Sequence, residues 1–119
     1  MFETILIVED EKNISELYRV VLEGNGYKII IAETGAKALE IIEEQMPDLI
    51  VLDVRLPDIT GTEILAQIRV YDAKVPIIVS TSIPSTKLRT YLDRWANMII
   101  MKPVNMEVML EKIKGLLKA

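Results

Sequence analysis

Leu49-Ile50-Val51-Leu52-Asp53, running on into Val54-Arg55-Leu56-Pro57, is the stretch that decides the fold. Four successive apolar residues, two of them β-branched, read as a short buried strand. The strand ends in a carboxylate, and in open α/β sheets ligands bind outside the carboxyl ends of the strands. A second apolar strand, Ile5-Leu6-Ile7-Val8, ends the same way, in Glu9-Asp10-Glu11. Two strands that deliver three or four carboxylates to one sheet edge make a site for a hard cation.

Working outward, strand and helix patterns alternate five times with short connections. The strands are Ile5–Val8, Lys28–Ala32, Leu49–Leu52, Ile77–Ser80 and Met98–Met101. The first helix is predicted from about Ile14 to Glu23, with Asn13 as cap, Glu16 three residues on, and Gly24 and Gly26 punctuating its end. The second is Ala36–Gln45, with Ala36, Leu39, Ile42 and the stem of Glu43 on its core face and Pro47 as its stop. The third runs from about Thr62 to Tyr71 behind a Thr60 cap with Glu63. The fourth is Ser85–Trp95, and the fifth runs from about Met106 to Leu117 behind an Asn105 cap. Such alternation means a parallel sheet with helices on both faces. Right-handed crossovers leave few topologies. The expectation is a flavodoxin-like, doubly wound five-stranded sheet of order 2-1-3-4-5 with five helices. That order makes strands one and three neighbours and puts Asp10 and Asp53 side by side at the switch point. No linker or repeat interrupts residues 1–119, which read as one domain.

Composition narrows the chemistry. There is no cysteine and no histidine among 119 residues. Disulfides, zinc sites built on thiolate or imidazole, and Ser-His or Cys-His catalysis are therefore excluded. The metal chemistry left is oxygen-ligand chemistry: magnesium, manganese or calcium. A net charge of −4 argues against a nucleic-acid footprint spread over the domain. No apolar run reaches the length of a membrane span, and the N-terminus lacks the zones of a signal peptide, so the default reading is cytoplasmic.

Magnesium keeps several waters and takes one or two carboxylates plus a phosphate oxygen. Asp10 and Asp53 are candidates for direct ligands, and Glu9 for orienting a bound water. One oxygen of Asp53 then remains free to attack phosphorus, since aspartate accepts phosphoryl groups as an acyl phosphate. Thr81 ends the fourth strand and Lys102 follows the fifth, on the same edge. A lysine there pairs with Asp53 before reaction and with the phosphoryl group after it, and a hydroxyl donates to a phosphoryl oxygen. Taken singly, each residue has a plainer reading. An aspartate after a strand is often a cap or turn former, a threonine there reflects β-propensity, and a lysine is usually solvated.

Taken together, the chain resembles a receiver domain of a two-component response regulator, of the chemotaxis-regulator kind, over its full length. The matching pieces are Ile7-Val8-Glu9-Asp10-Glu11, Asp53-Val54-Arg55-Leu56-Pro57-Asp58-Ile59-Thr60-Gly61, Pro76-Ile77-Ile78-Val79-Ser80-Thr81-Ser82 and Lys102-Pro103. The resemblance implies that Asp53 accepts a phosphoryl group from a sensor histidine kinase or phosphotransfer protein. It implies Mg2+, with Mn2+ as a substitute, held by Glu9, Asp10, Asp53 and the backbone carbonyl of Arg55. It also implies Thr81 and Lys102 as phosphoryl contacts, and a cis bond between Lys102 and Pro103. A receiver is a regulatory domain that assists its own phosphorylation and dephosphorylation rather than an enzyme. Its output partners, a downstream protein or an attached output domain, dock on the face made by helix four, strand five and helix five, and weak homodimers form in some cases.

The chain also departs from the pattern. Receivers usually carry an aromatic residue three positions before the strand-five lysine, and here Ile99 stands there. It is stiff at χ1 and has no hydroxyl. Trp95-Ala96-Asn97 replaces a common Gly-Ala turn, the Thr81–Lys102 stretch is about one residue short, and Pro84 blurs the start of helix four. Trp95, Met98, Ile99, Met101 and Met106 read as core around an edge strand or as a partner surface. Lys112, Lys114 and Lys118 read as a solvated face. The competing function is a pseudo-receiver that regulates by docking alone. A magnesium-dependent phosphatase of another α/β family is disfavoured, because Val54-Arg55 follow Asp53 where such enzymes carry Asp-x-Asp, and there is no P-loop.

Overall fold

The computed structural model describes residues 2–82 and 86–118. The elements are β1 (Thr4–Val8), α1 (Lys12–Glu23), β2 (Lys28–Ala32), α2 (Gly35–Glu44), β3 (Leu49–Asp53), α3 (Gly61–Tyr71), β4 (Ile77–Thr81), α4 (Thr86–Trp95), β5 (Met98–Met101) and α5 (Met106–Lys118). The sheet order is β2-β1-β3-β4-β5, with every pair parallel. This is the flavodoxin-like order, with β1 and β3 adjacent in the middle.

Both faces of the sheet are covered, so the central strands are apolar throughout. Side chains alternate along each strand. Leu6, Val8, Ile50, Leu52, Ile77 and Val79 pack against Ala38, Ile42, Ile64, Leu65, Ile68 and Leu92 of α2, α3 and α4. Ile5, Ile7, Leu49, Val51 and Ile78 pack against Tyr18, Leu22, Met109 and Ile113 of α1 and α5.

Several local expectations need correction. α1 starts at Lys12, and Asn13 lies inside it rather than capping it. The Glu11 carbonyl accepts from the N–H groups of Ile14 and Ser15, and the Glu9 carboxylate takes the Glu11 N–H, so the helix follows β1 at once. On α2 the buried residues are Gly35, Ala38 and Ile42, while Ala36 and Glu43 are exposed. Its cap is Thr34, whose hydroxyl accepts from Lys37 N–H, and Gln45 lies beyond its end. Thr60 and Asn105 cap α3 and α5 as expected. Pro84 and Ser85, which bear on the start of the fourth helix, lie outside the described residues.

Met98 and Met106 pack on the α1–α5 side, Ile99 packs on the α2–α4 side, and Trp95 and Met101 are exposed. The five therefore do not form one cluster. Among the described residues no helix is long and apolar enough to cross a membrane.

Candidate functional site

The alternation that points Ile7, Val51 and Ile78 toward α1 and α5 points the next residues of that face, Glu9, Asp53 and Ser80, the same way. Asp53 is the last residue of β3 and stands in register with Ser80. Glu9 and Asp53 are only 2% and 5% exposed, whereas Asp10 is at the surface. The carboxylates of Glu9, Asp10 and Asp53 bring one oxygen each to within 4.8 Å of one another. Lys102 N–H donates to Thr81 O at 2.8 Å, which anchors the lysine just past β5. From there its Nζ reaches Glu9 Oε1 at 3.2 Å and Asp53 Oδ2 at 3.1 Å. The other Asp53 oxygen, Oδ1, accepts from Arg55 N–H at 3.1 Å.

One ammonium thus serves two buried carboxylates. Burial pushes the Glu9 carboxyl up to about 7, helped by the charge of Asp53 and a hydrogen bond to it, while Lys102 and the Glu11 N–H pull it down. For Lys102, burial acts to lower the pKa, but Asp53 and Glu9 outweigh it and the net shift is upward. Crowded carboxylates with too little positive charge are the setting in which a divalent cation binds. An all-oxygen donor set fits a hard cation and no soft one.

Five of the residues singled out in the sequence, Glu9, Asp10, Asp53, Thr81 and Lys102, lie at one end of the sheet. Thr81 ends β4 and is 3% exposed. Arg55 sits in the loop after β3, bridged to Thr60, with its side chain exposed. The Lys102–Pro103 bond is cis, as the resemblance implied.

Sequence reasoning missed three residues here. Asp58 accepts from Gly35 N–H and Ala36 N–H at 2.8 and 2.9 Å, tying the loop after Asp53 to the start of α2. Ser80 stands in the same cross-sheet row as Glu9 and Asp53, in register with Asp53, and Tyr18 of α1 packs on that face of the sheet. Tyr18 was discoverable, because Ser15, Tyr18 and Leu22 mark the buried stripe of α1 at helical spacing.

Residues 5–114 match the model of the response regulator receiver domain family. Response regulator MprA of Mycobacterium sp. (strain KMS) is 36% identical over 115 residues, covering 96% of this chain and 50% of that protein. The uncharacterized transcriptional regulatory protein YkoG of Bacillus subtilis is 38% identical over 117 residues, with the same coverage, 96% and 50%. The chain therefore spans about half the length of these curated relatives. A CheY-like receiver domain protein from Methanospirillum hungatei superposes with a TM-score of 0.94 at 35% identity, covering 99% of this chain and 95% of that one. The signal receiver domain of a putative LuxO repressor from Vibrio parahaemolyticus gives 0.92 at 31% identity, covering 99% and 92%. With the sheet order, the acidic cluster and these matches together, the chain belongs to the response regulator receiver domain family.

Proposed function

We propose that this receiver domain is a phosphorylation switch whose acceptor is Asp53. Receiver domains are phosphoacceptor regulatory modules, and what carries the assignment of Asp53 is its setting. It is a buried carboxylate with an ammonium at 3.1 Å and two further carboxylates close enough to share a cation. Asp53 Oδ2 attacks phosphorus, the P–N bond of a phosphohistidine breaks, and the imidazole leaves with the electron pair and takes up a proton. Lys102 follows the charge from Asp53 to the transferred group, and Thr81 donates to one of its oxygens. Glu9, Asp10, Asp53 and the Arg55 carbonyl would hold Mg2+ or Mn2+, which supplies charge neutralisation for the phosphoryl oxygens. The donor is a sensor histidine kinase or phosphotransfer protein, and the output face is α4–β5–α5.

The test is incubation with a small acyl phosphate or phosphoramidate donor, read by intact mass. A gain of one phosphoryl group is expected with Mg2+, none after chelation, and none in Asp53→Asn. An unchanged mass with Mg2+ present overturns the assignment. Ile99, half-buried where an aromatic is usual, favours a second reading of docking without phosphorylation-coupled switching. Undiminished binding of the output partner by Asp53→Ala would support it.

A further inference from the structure

On the sheet face that carries the acidic row lies a hydroxyl with no work assigned. Tyr18 is 1% exposed, and its Oη makes no hydrogen bond among the described residues. A buried polar atom without a partner is costly, so native structures leave few of them unexplained. This one is placed among functional groups. Burial first, and then the charge of Glu9, push the Tyr18 hydroxyl pKa far up, the approach of the Ser80 hydroxyl as a hydrogen-bond partner pulls the other way, and the charge of Asp53 adds to the rise. The hydroxyl therefore lies within reach of Ser80 but short of a formed hydrogen bond, under the charges of Glu9 and Asp53.

Ser80 is the neighbour best placed to close the gap. It is 1% exposed and stands in register with Asp53 on one side and Ile100 on the other. Its carbonyl accepts from Val54 N–H, the residue after Asp53, at a long 3.3 Å. The next residue along β4 is Thr81. A shift of Ser80 thus moves both the backbone beside Asp53 and the hydroxyl beside the phosphoryl position.

We propose that Tyr18 and Ser80 are positioning residues of the acceptor site. A hydrogen bond between their hydroxyls, open in the free form, closes when Asp53 carries a phosphoryl group and holds the end of β4, with Thr81, in the loaded geometry. The inference rests on Asp53 as acceptor. It gives the domain a contact from the site to α1, on the sheet face opposite Ile99.

The experiment uses beryllofluoride with Mg2+ as the phosphoryl analogue, on the full chain and on Tyr18→Phe, Ser80→Ala and the double variant. Tyr18→Phe removes one oxygen and keeps the ring, so the fold is retained, and urea unfolding of each variant verifies this. Tyr18→Phe is expected to weaken beryllofluoride binding about three- to tenfold, the size of one hydrogen bond, with Mg2+ affinity alone within about twofold. Ser80→Ala is expected to match it, and the double variant to lose no more than either single one. A tyrosine hydroxyl proton protected from exchange should appear by NMR on beryllofluoride binding and be absent in Ser80→Ala. Equal beryllofluoride affinity of Tyr18→Phe and the parent chain overturns the inference, as do fully additive losses. That result would leave Tyr18 a core residue hydrated by a buried water. A parent chain that binds no beryllofluoride overturns the acceptor assignment and this inference with it.

Discussion

Glu9 sets the protonation of the resting site. Its carboxyl sits near 7 rather than at the ordinary 4.5, chiefly because it is buried, and then because Asp53 repels its charge. A carboxyl raised on folding binds its proton more tightly in the native state. Its contribution to stability is complete below about 4.5 and is lost as pH rises through about 7. Asp58 works in the opposite sense, because the N–H groups of Ala36 and Gly35 hold its pKa below 3.8. Its contribution is already complete across the Glu9 window. In chelator, urea unfolding from about pH 5 to 8 should therefore show stability falling with pH, and Glu9→Gln should flatten the slope. A Glu9→Gln variant with the parent's slope would show that Lys102 keeps Glu9 ionised throughout. That these side chains gather at one sheet edge was legible in the sequence, because each carboxylate, hydroxyl or amine stands at the end of an apolar strand. The charge state of Glu9 was not, because it depends on burial and on a lysine 93 residues away.

At the scale of elements, the segment that departs most from the family pattern is held by side chains instead of a Gly-Ala turn. Asn97 N–H donates to Ile77 O at 2.9 Å, and Asn97 Oδ1 accepts from Ile77 N–H at 2.9 Å. The same oxygen accepts from Arg69 Nη2 at 3.1 Å. Arg69 also donates to Trp95 O at 2.8 Å and Val75 O at 2.7 Å. One guanidinium and one amide thus join the end of α3, the start of β4 and the end of α4. Asn97→Ala leaves the N–H of fully buried Ile77 without a partner, which costs about 1–3 kcal/mol. The unfolding free energy should fall by that amount, seen as a lower urea midpoint with an unchanged m-value, and Asn97→Asp, which keeps the acceptor beside Arg69, should lose less. A loss below about 0.5 kcal/mol in Asn97→Ala would mean that water replaces the amide. Trp95-Ala96-Asn97 was visible in the sequence as a departure, but its partner Arg69 lies 28 residues away and no local pattern pairs them. The start of α1 was misplaced for a similar reason, since Asn13 has the chemistry of a cap while the chain turns at Glu11.

For the whole molecule, topology was the most legible level. Five apolar runs separated by helical patterns admit few right-handed parallel sheets, and only an order with β1 beside β3 brings Glu9, Asp10 and Asp53 together. What periodicity could not reveal is how the two halves of the core divide the polar residues. Asp53 and Ser80 continue a face that is apolar from Ile5 to Ile78, so the site is the polar end of the α1–α5 core rather than a loop added to it. The repulsion stored there is therefore charged against the folding of the whole domain, and a cation that relieves it should stabilise the whole domain. For a ligand bound only by the native state, ten times its Kd contributes about 1.4 kcal/mol. For a chain of this size that raises Tm by about 5 °C. A titration of Mg2+ into chelator-treated protein, followed by calorimetry, should show such a rise as a single transition. Asp10→Asn should shift the titration to higher Mg2+, and adding Asp53→Asn should abolish it. The metal assignment falls if Mg2+ leaves Tm unchanged at millimolar concentrations, or if the double variant gains as much as the parent.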